Sequence, residues 1–198
     1  MHKRTIHLIY DRYFDYLTKK VFILNSTTNK LENVIDSINV HSKGFESSWA
    51  TTIKYSIRLG LRHCPNAQTF LDVGSGTGKA MYIALKSKKF EKVIGVELER
   101  KLYMKSRLIL QNVNSKKKFF LHHENAEYFV VPNEPTIIFL FNPFNEIILN
   151  RFISKNLNRI RITKSVIVYV NDVHSNLLLD LGLNLCFKNY SRLISVYN

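Results

Sequence analysis

Phe70-Leu71-Asp72-Val73 is a short apolar run with one acid near its end, and Gly74, Gly76 and Gly78 follow at alternate positions. A run of this length without polar alternation predicts a strand buried on both faces. Lys79 to Leu85 contains neither Pro nor Gly and predicts a helix directly after the glycines. Strand, glycine turn and helix in that order open a parallel α/β sheet. Ligands can approach such a turn closely, because glycine has no Cβ to obstruct them.

The neighbouring residues decide which ligand fits. A phosphate-binding loop requires G-x-x-x-x-G-K-[ST]. Counting back from Gly78-Lys79 puts Val73 where the first glycine belongs, and Ala80 replaces the metal-binding hydroxyl. A dinucleotide loop requires G-x-G-x-x-G. Gly74 and Gly76 fit it, but Lys79 takes the third glycine position, and the Asp72 carboxylate would repel a pyrophosphate. A cationic ligand without phosphate makes Asp72 useful, since a carboxylate can hold an ammonium group. A structural turn with no ligand is the plain alternative.

Lys92 to Leu98 is a second apolar run ending in an acid, Glu97. Glu97 lies 19 residues beyond Gly78, close to the spacing at which a second-strand acid meets a ribose in nucleoside-binding folds. A carboxylate accepts two hydrogen bonds and suits a vicinal diol. Taken alone, Glu97 reads equally as a first-turn helix acid.

The acid-x-Gly-x-Gly-x-Gly loop of Asp72 to Gly78, followed by Glu97, resembles the class I S-adenosylmethionine (SAM)-dependent methyltransferases. The resemblance covers residues 64 to 198. It implies SAM as cofactor, with Asp72 at the methionine end, Gly74, Ser75, Gly76 and Gly78 allowing backbone approach, and Glu97 with Leu98 at the ribose side. It places Asn125 and Ala126, after the strand Lys118 to His122, at the adenine edge; the family usually has Asp where Asn125 stands. It places Asn142, Pro143 and Phe144, after the strand Thr136 to Phe141, against the methyl acceptor. That loop is similar to the (Asp/Asn)-Pro-Pro-(aromatic) loop of enzymes that methylate nitrogen, but has one proline instead of two. It is closer to small bacterial methyltransferase-like proteins with an Asn-Pro-Phe loop. Read locally, Asn125 is also a turn residue, and Asn142-Pro143 an Asx turn that ends a strand.

Beyond residue 64 strands are predicted near 69–73, 93–97, 118–122, 136–141 and 164–170, with helices near 79–88, 99–113, 145–160 and 173–181. Leu185 to Tyr190 and Leu193 to Tyr197 read as two strands with a tight connection. The alternation predicts a doubly wound, Rossmann-like, mostly parallel sheet. The resemblance adds an antiparallel final hairpin strand. Tyr10, Phe14 and Leu17 have helical spacing, Asn25 to Asn29 and Lys43-Gly44 break the chain, and Ser47 and Ser48 can cap a helix from Trp49 to His63. Residues 1–63 are therefore expected to form a helical cap over the ligand edge of a single-domain core at 64–198. By resemblance, Phe45 to Trp49 are placed at the cofactor.

The 198 residues carry 29 Lys and Arg against 15 Asp and Glu, a net charge of +14. Arg100 to Lys118 holds seven cations and no acid, and Arg151 to Lys164 holds five and no acid. Arg151, Lys155 and Arg159 fall on one helical stripe. Such charge attracts phosphate backbones without reading sequence, which makes a nucleic-acid partner an expectation, although the stripe reads more simply as a solvated helix face. Cys64 and Cys186 have no metal or redox spacing, and the seven histidines form no ligand motif, so no metal is expected. No run of about 18 apolar residues occurs, so no membrane span is expected, and a cytoplasmic location with reduced thiols follows as the expectation. The function expected is SAM-dependent methyl transfer to a nitrogen on nucleic acid or protein, or to a small molecule. A non-catalytic SAM-fold protein docking on RNA or a partner, and an NAD-type oxidoreductase, remain the alternatives.

Overall fold

The computed structural model describes residues 50–113 and 118–198. The helix α1 (Ala50–His63) leads into a seven-stranded sheet whose spatial order is β3-β2-β1-β4-β5-β7-β6. The strands are β1 (Thr69–Val73), β2 (Lys92–Glu97), β3 (Lys118–His123), β4 (Thr136–Phe141), β5 (Val166–Val170), β6 (Leu185–Asn189) and β7 (Ile194–Tyr197). The first five are mutually parallel, and β7 lies antiparallel between β5 and β6. Between them run α2 (Lys79–Ser87), α3 (Arg100–Gln111), α4 (Glu146–Ile162) and α5 (Ser175–Asp180). The sheet is the mostly parallel Rossmann-like one expected, with its antiparallel terminal hairpin.

Alternation along the central strands splits the core into two layers, as a period of two demands. Phe70, Val93, Ile137, Phe139 and Val168 meet α1, α2 and the end of α3 on one face. Leu71, Ile94, Ile138, Leu140 and Ile167 meet α4 and α5 on the other. β1 is buried at all five positions, so its end is held firmly at the middle of the sheet edge.

Two expectations are corrected. Residues 50–63 are not part of a cap. Ala50, Ile53, Ile57 and Leu59 are core, and α1 packs on α2, β4, β5 and β7. Its apolar spacing buries a stripe against the sheet, as in any layer helix. Residues 1–49, including the aromatic-rich segment and Phe45 to Trp49, lie outside the described residues. The strand expected at 164–170 starts at Val166, because α4 runs on to Ile162. There Lys164 adopts φ +54°, its N–H donates to Arg161 O, and the Ser165 N–H donates to Ile160 O. This is a Schellman stop with Lys in the place usually taken by Gly.

β7 is tied to its neighbours by one carboxylate. Asp172, just past β5, accepts hydrogen bonds from Ser195 and Tyr197 of β7 and from Lys188 of β6. Burial and the nearby Asp172 charge push the Tyr169 hydroxyl up to about 12.

A Cβ on Gly60 of α1 would lie 2.8 Å from two side-chain carbons of Ile137 in β4. Gly60→Leu should therefore destabilise the protein by about 1–3 kcal/mol through overpacking, read as a lower urea midpoint. A loosely seated helix would instead gain from leucine's better helix propensity.

Candidate functional site

The carboxyl ends of β1, β2 and β4 meet at one edge of the sheet, around a cavity of about 710 Å³. The turn after β1 is folded back onto β2: the N–H groups of Gly74 and Ser75 both donate to Val96 O at 2.9 Å. Gly74 has φ +76°, and a Cβ there would sit 2.4 Å from Pro143 Cβ. Gly74 therefore lets the loop after β4 close against the loop after β1. Gly78, at φ +77°, has a different neighbour: its Cβ would meet Ser106 Oγ of α3 at 2.3 Å. It caps α2 and is not among the cavity-lining residues. Only Gly76 of the three both lines the cavity and donates its N–H to Glu97, at 2.7 Å.

The cavity inverts the charge of the chain. Asp72, Glu97, Glu99 and Glu124 line it, with Lys79 as the one cation among the described residues of its wall. Asp72 is 4% exposed and Glu97 8%. Glu97 accepts from the Gly76 and Glu99 N–H groups, at 2.7 and 2.8 Å, one on each oxygen. Among the described residues, two of its roughly four acceptor positions stay open. The Met81 N–H in the first turn of α2 favours the Asp72 carboxylate, but burial, and after it the Glu97 charge, raise its pKa to about 8. A cation arriving between the two would reverse that shift. Ser75 Oγ is buried in the same wall with no hydrogen-bond partner among the described residues.

The segment after β3 is held from outside the cavity. Asn125 caps a short 3₁₀ turn (Ala126–Tyr128): its Oδ1 accepts from the Glu127 N–H at 3.2 Å, and its Nδ2 donates to Glu127 Oε1 at 2.6 Å. Arg151 of α4 donates to the other Glu127 oxygen at 2.8 Å and holds that carboxyl below its ordinary range. Lys155 donates to Tyr128 O and Arg159 to Val131 O. Asn156, 1% exposed, accepts from the Val131 N–H and donates to Phe129 O. The basic stripe expected to draw phosphate backbones thus laces residues 127–131 onto α4.

Asp72, Gly74, Ser75, Gly76, Glu97, Leu98, Asn125, Ala126, Asn142, Pro143 and Phe144 all line this one cavity. Asn142 is exposed and takes φ +38°. Phe144 is half-buried, with one side packed on the α4 core. Glu99, Glu124, Lys79 and Asn145 line the cavity too, beyond the residues expected from the sequence. The first three carry no local motif. Asn145 had one, since it caps α4 by accepting from the Ile148 N–H. Among the described residues no cluster of His, Cys, Asp and Glu could hold a metal ion, and no helix is long and apolar enough to cross a membrane.

The sheet has the Rossmann-like fold found in methyltransferases of known structure. A SAM-dependent methyltransferase of Leishmania major superposes with a TM-score of 0.56 at 12% identity, over 75% of this chain and 71% of that one. Magnesium protoporphyrin IX methyltransferase of Synechocystis, solved with SAM bound, gives 0.54 at 10% identity, over 87% and 97%. Streptomyces venezuelae DesVI gives 0.47 at 18% identity over 61% of this chain, which spans only 49% of DesVI's length. No family model matches the sequence, and no curated protein sequence does. At such identities the likeness establishes the fold.

Asp72 makes the ligand-free protein sensitive to pH. An acid whose pKa is raised on folding, here from 3.8 to about 8, costs stability once pH passes its unfolded value, and the full cost is present above its folded value. Asp72→Asn should therefore raise the stability of the free protein by at least about 1 kcal/mol at pH 8.5, roughly 2–4 °C in Tm. The gain should vanish near pH 4. Asn125→Asp would set a second carboxylate against Glu127 and should lower the urea midpoint. The double change Asn125→Asp with Glu127→Gln exchanges donor and acceptor, and should recover most of that loss in a double-mutant cycle.

Proposed function

We propose that this protein is a SAM-dependent methyltransferase. The observation that carries the reading is the acid-lined cavity at the sheet edge of a chain with net charge +14. Four carboxylates and one lysine suit a cationic, phosphate-free nucleoside. They oppose a pyrophosphate, which counts against the NAD-type alternative. The cavity residues fit SAM on three counts: among the described residues, Asp72 lacks a cation, Glu97 keeps open acceptor positions, and Ser75 Oγ awaits a partner.

In this reading Asp72 holds the ammonium of the methionine end, and the backbone of Gly74 to Gly76 lies along it. Glu97, fixed by two N–H groups, accepts from the ribose diol. Leu98, 64% exposed, offers an apolar surface to the adenine, and Asn125 Oδ1 with the Ala126 N–H meets its edge. SAM, when bound, supplies a methyl group on positively charged sulfur. Because that charge is lost in transfer, the chain need not stabilise a developing anion. Its work is alignment and exclusion of water, worth up to about 7–11 kcal/mol. Asn142, Pro143 and Phe144 face the acceptor: the Asn142 carbonyl oxygen accepts from an N–H of an acceptor nitrogen, and Phe144 packs against its flat surface. The acceptor class this favours is a nitrogen on nucleic acid or protein.

Calorimetry with S-adenosylhomocysteine and with NAD tests the cofactor. S-adenosylhomocysteine should bind, more tightly as pH rises through about 8, with proton release below that pH because Asp72 must ionise. Binding of NAD instead would end the reading. Radiolabelled SAM with a cell extract as acceptor source tests turnover. Asn142→Ala should lower labelling about 100-fold while S-adenosylhomocysteine affinity stays within about twofold. A non-catalytic protein would label nothing in either form.

A further inference from the structure

The β6–β7 hairpin tip stands on the same sheet edge as the cavity, because β6 runs parallel to β5 through the intervening antiparallel β7. β6 is four places from β1 in the sheet, about 19 Å at the usual strand spacing. The tip is well held: Asn189 Oδ1 accepts from Ser191 Oγ and the Arg192 N–H, and Asn189 Nδ2 donates to the Tyr55 hydroxyl of α1. Tyr190 projects from it with 77% of its surface exposed.

Cations gather around this tip. The Arg192 and Arg58 guanidinium carbons lie 4.7 and 5.8 Å from the Tyr55 ring centre. Neither arginine meets a carboxylate among the described residues. Lys188 Nζ is 5.6 Å from the Tyr190 ring, but Asp172 balances its charge at 3.3 Å. Two guanidinium groups brought to one ring with no carboxylate on either among the described residues repel each other, and an anion is the group that relieves the repulsion.

We propose that Tyr190, Arg58 and Arg192 form a docking platform for single-stranded nucleic acid, on which a base stacks on Tyr190 and phosphates meet the two arginines. This names the acceptor class of the methyltransferase reading above, and as an acceptor assignment it rests on that reading. An exposed aromatic ring among cations is the arrangement that binds unpaired bases without reading sequence. A duplex hides its base faces and cannot use it. The loop given to the acceptor follows β4, three places from β6, and that span of about 14 Å keeps a small acceptor from touching both platform and loop. The acid wall of the cavity repels phosphates, so a polyanionic acceptor needs an anchor outside it.

The test is fluorescence anisotropy of a labelled 20-nucleotide oligouridylate with the full chain and no SAM present. Tyr190→Ala should weaken binding about tenfold with the salt dependence unchanged, and Tyr190→Phe should restore it. Arg58→Ala with Arg192→Ala should reduce the slope of log K against log salt by about 1.4, which is about 0.7 for each phosphate left without its arginine. A duplex of equal length should bind at least about tenfold more weakly than the single strand. The proposal is overturned if Tyr190→Ala binds as the unaltered chain does. Equal binding of duplex, polyglutamate or anionic vesicles also overturns it, since charge alone would then explain attachment. S-adenosylhomocysteine calorimetry on Tyr190→Ala should match the unaltered chain. Nucleotide binding without S-adenosylhomocysteine binding would sink the methyltransferase reading and leave the platform standing. The reverse result would sink the platform alone.

Discussion

Asp72 and Glu97 repel each other across the ends of β1 and β2, and both are almost wholly removed from water. Burying like charges together is expensive unless each is held by donors or something positive lies between them. The turn after β1 answers part of this cost: Met81, Gly76 and Glu99 turn backbone N–H groups toward the two carboxyls. The rest is left unmet, which is why Asp72 is pushed up to about 8. The turn thus leaves the two carboxyls only partly compensated among the described residues.

The loops that close the site depend on the same turn. Pro143 reaches Gly74 only because no Cβ stands between them, so the loop after β4 takes its position from the loop after β1. On the other flank, the Asn125 turn takes its position from α4 through Glu127 and Arg151. Asn at position 125 has a local reason. With Glu127 Oε1 at 2.6 Å, an amide donates where a carboxylate would repel.

Charge is sorted by place. A chain of net +14 keeps acids in the cavity wall, spends the α4 cations on neighbouring oxygens, and leaves two arginines at the hairpin tip with no carboxylate among the described residues. A net charge says what a molecule attracts at long range, but the partners of each cation decide which of them remain available at contact.

Much of the fold was legible in order along the chain. Apolar runs bounded by glycine, proline and acids mark β1, β2 and β4 within a residue, because a buried strand and a tight turn each demand a particular local chemistry. Asp72, Glu97 and the Asn-Pro-Phe loop were visible for the same reason: each sits at the end of such a run. The end of α4 was not visible, since Lys164 gives no sign of a left-handed stop. Nor were Glu99, Glu124, the place of α1 in the core, or the use of Arg151, Lys155 and Arg159. Those depend on which segments meet across the sheet. Local composition determines elements and the residues at their ends, whereas contacts between residues tens of positions apart come into being only when the layers pack.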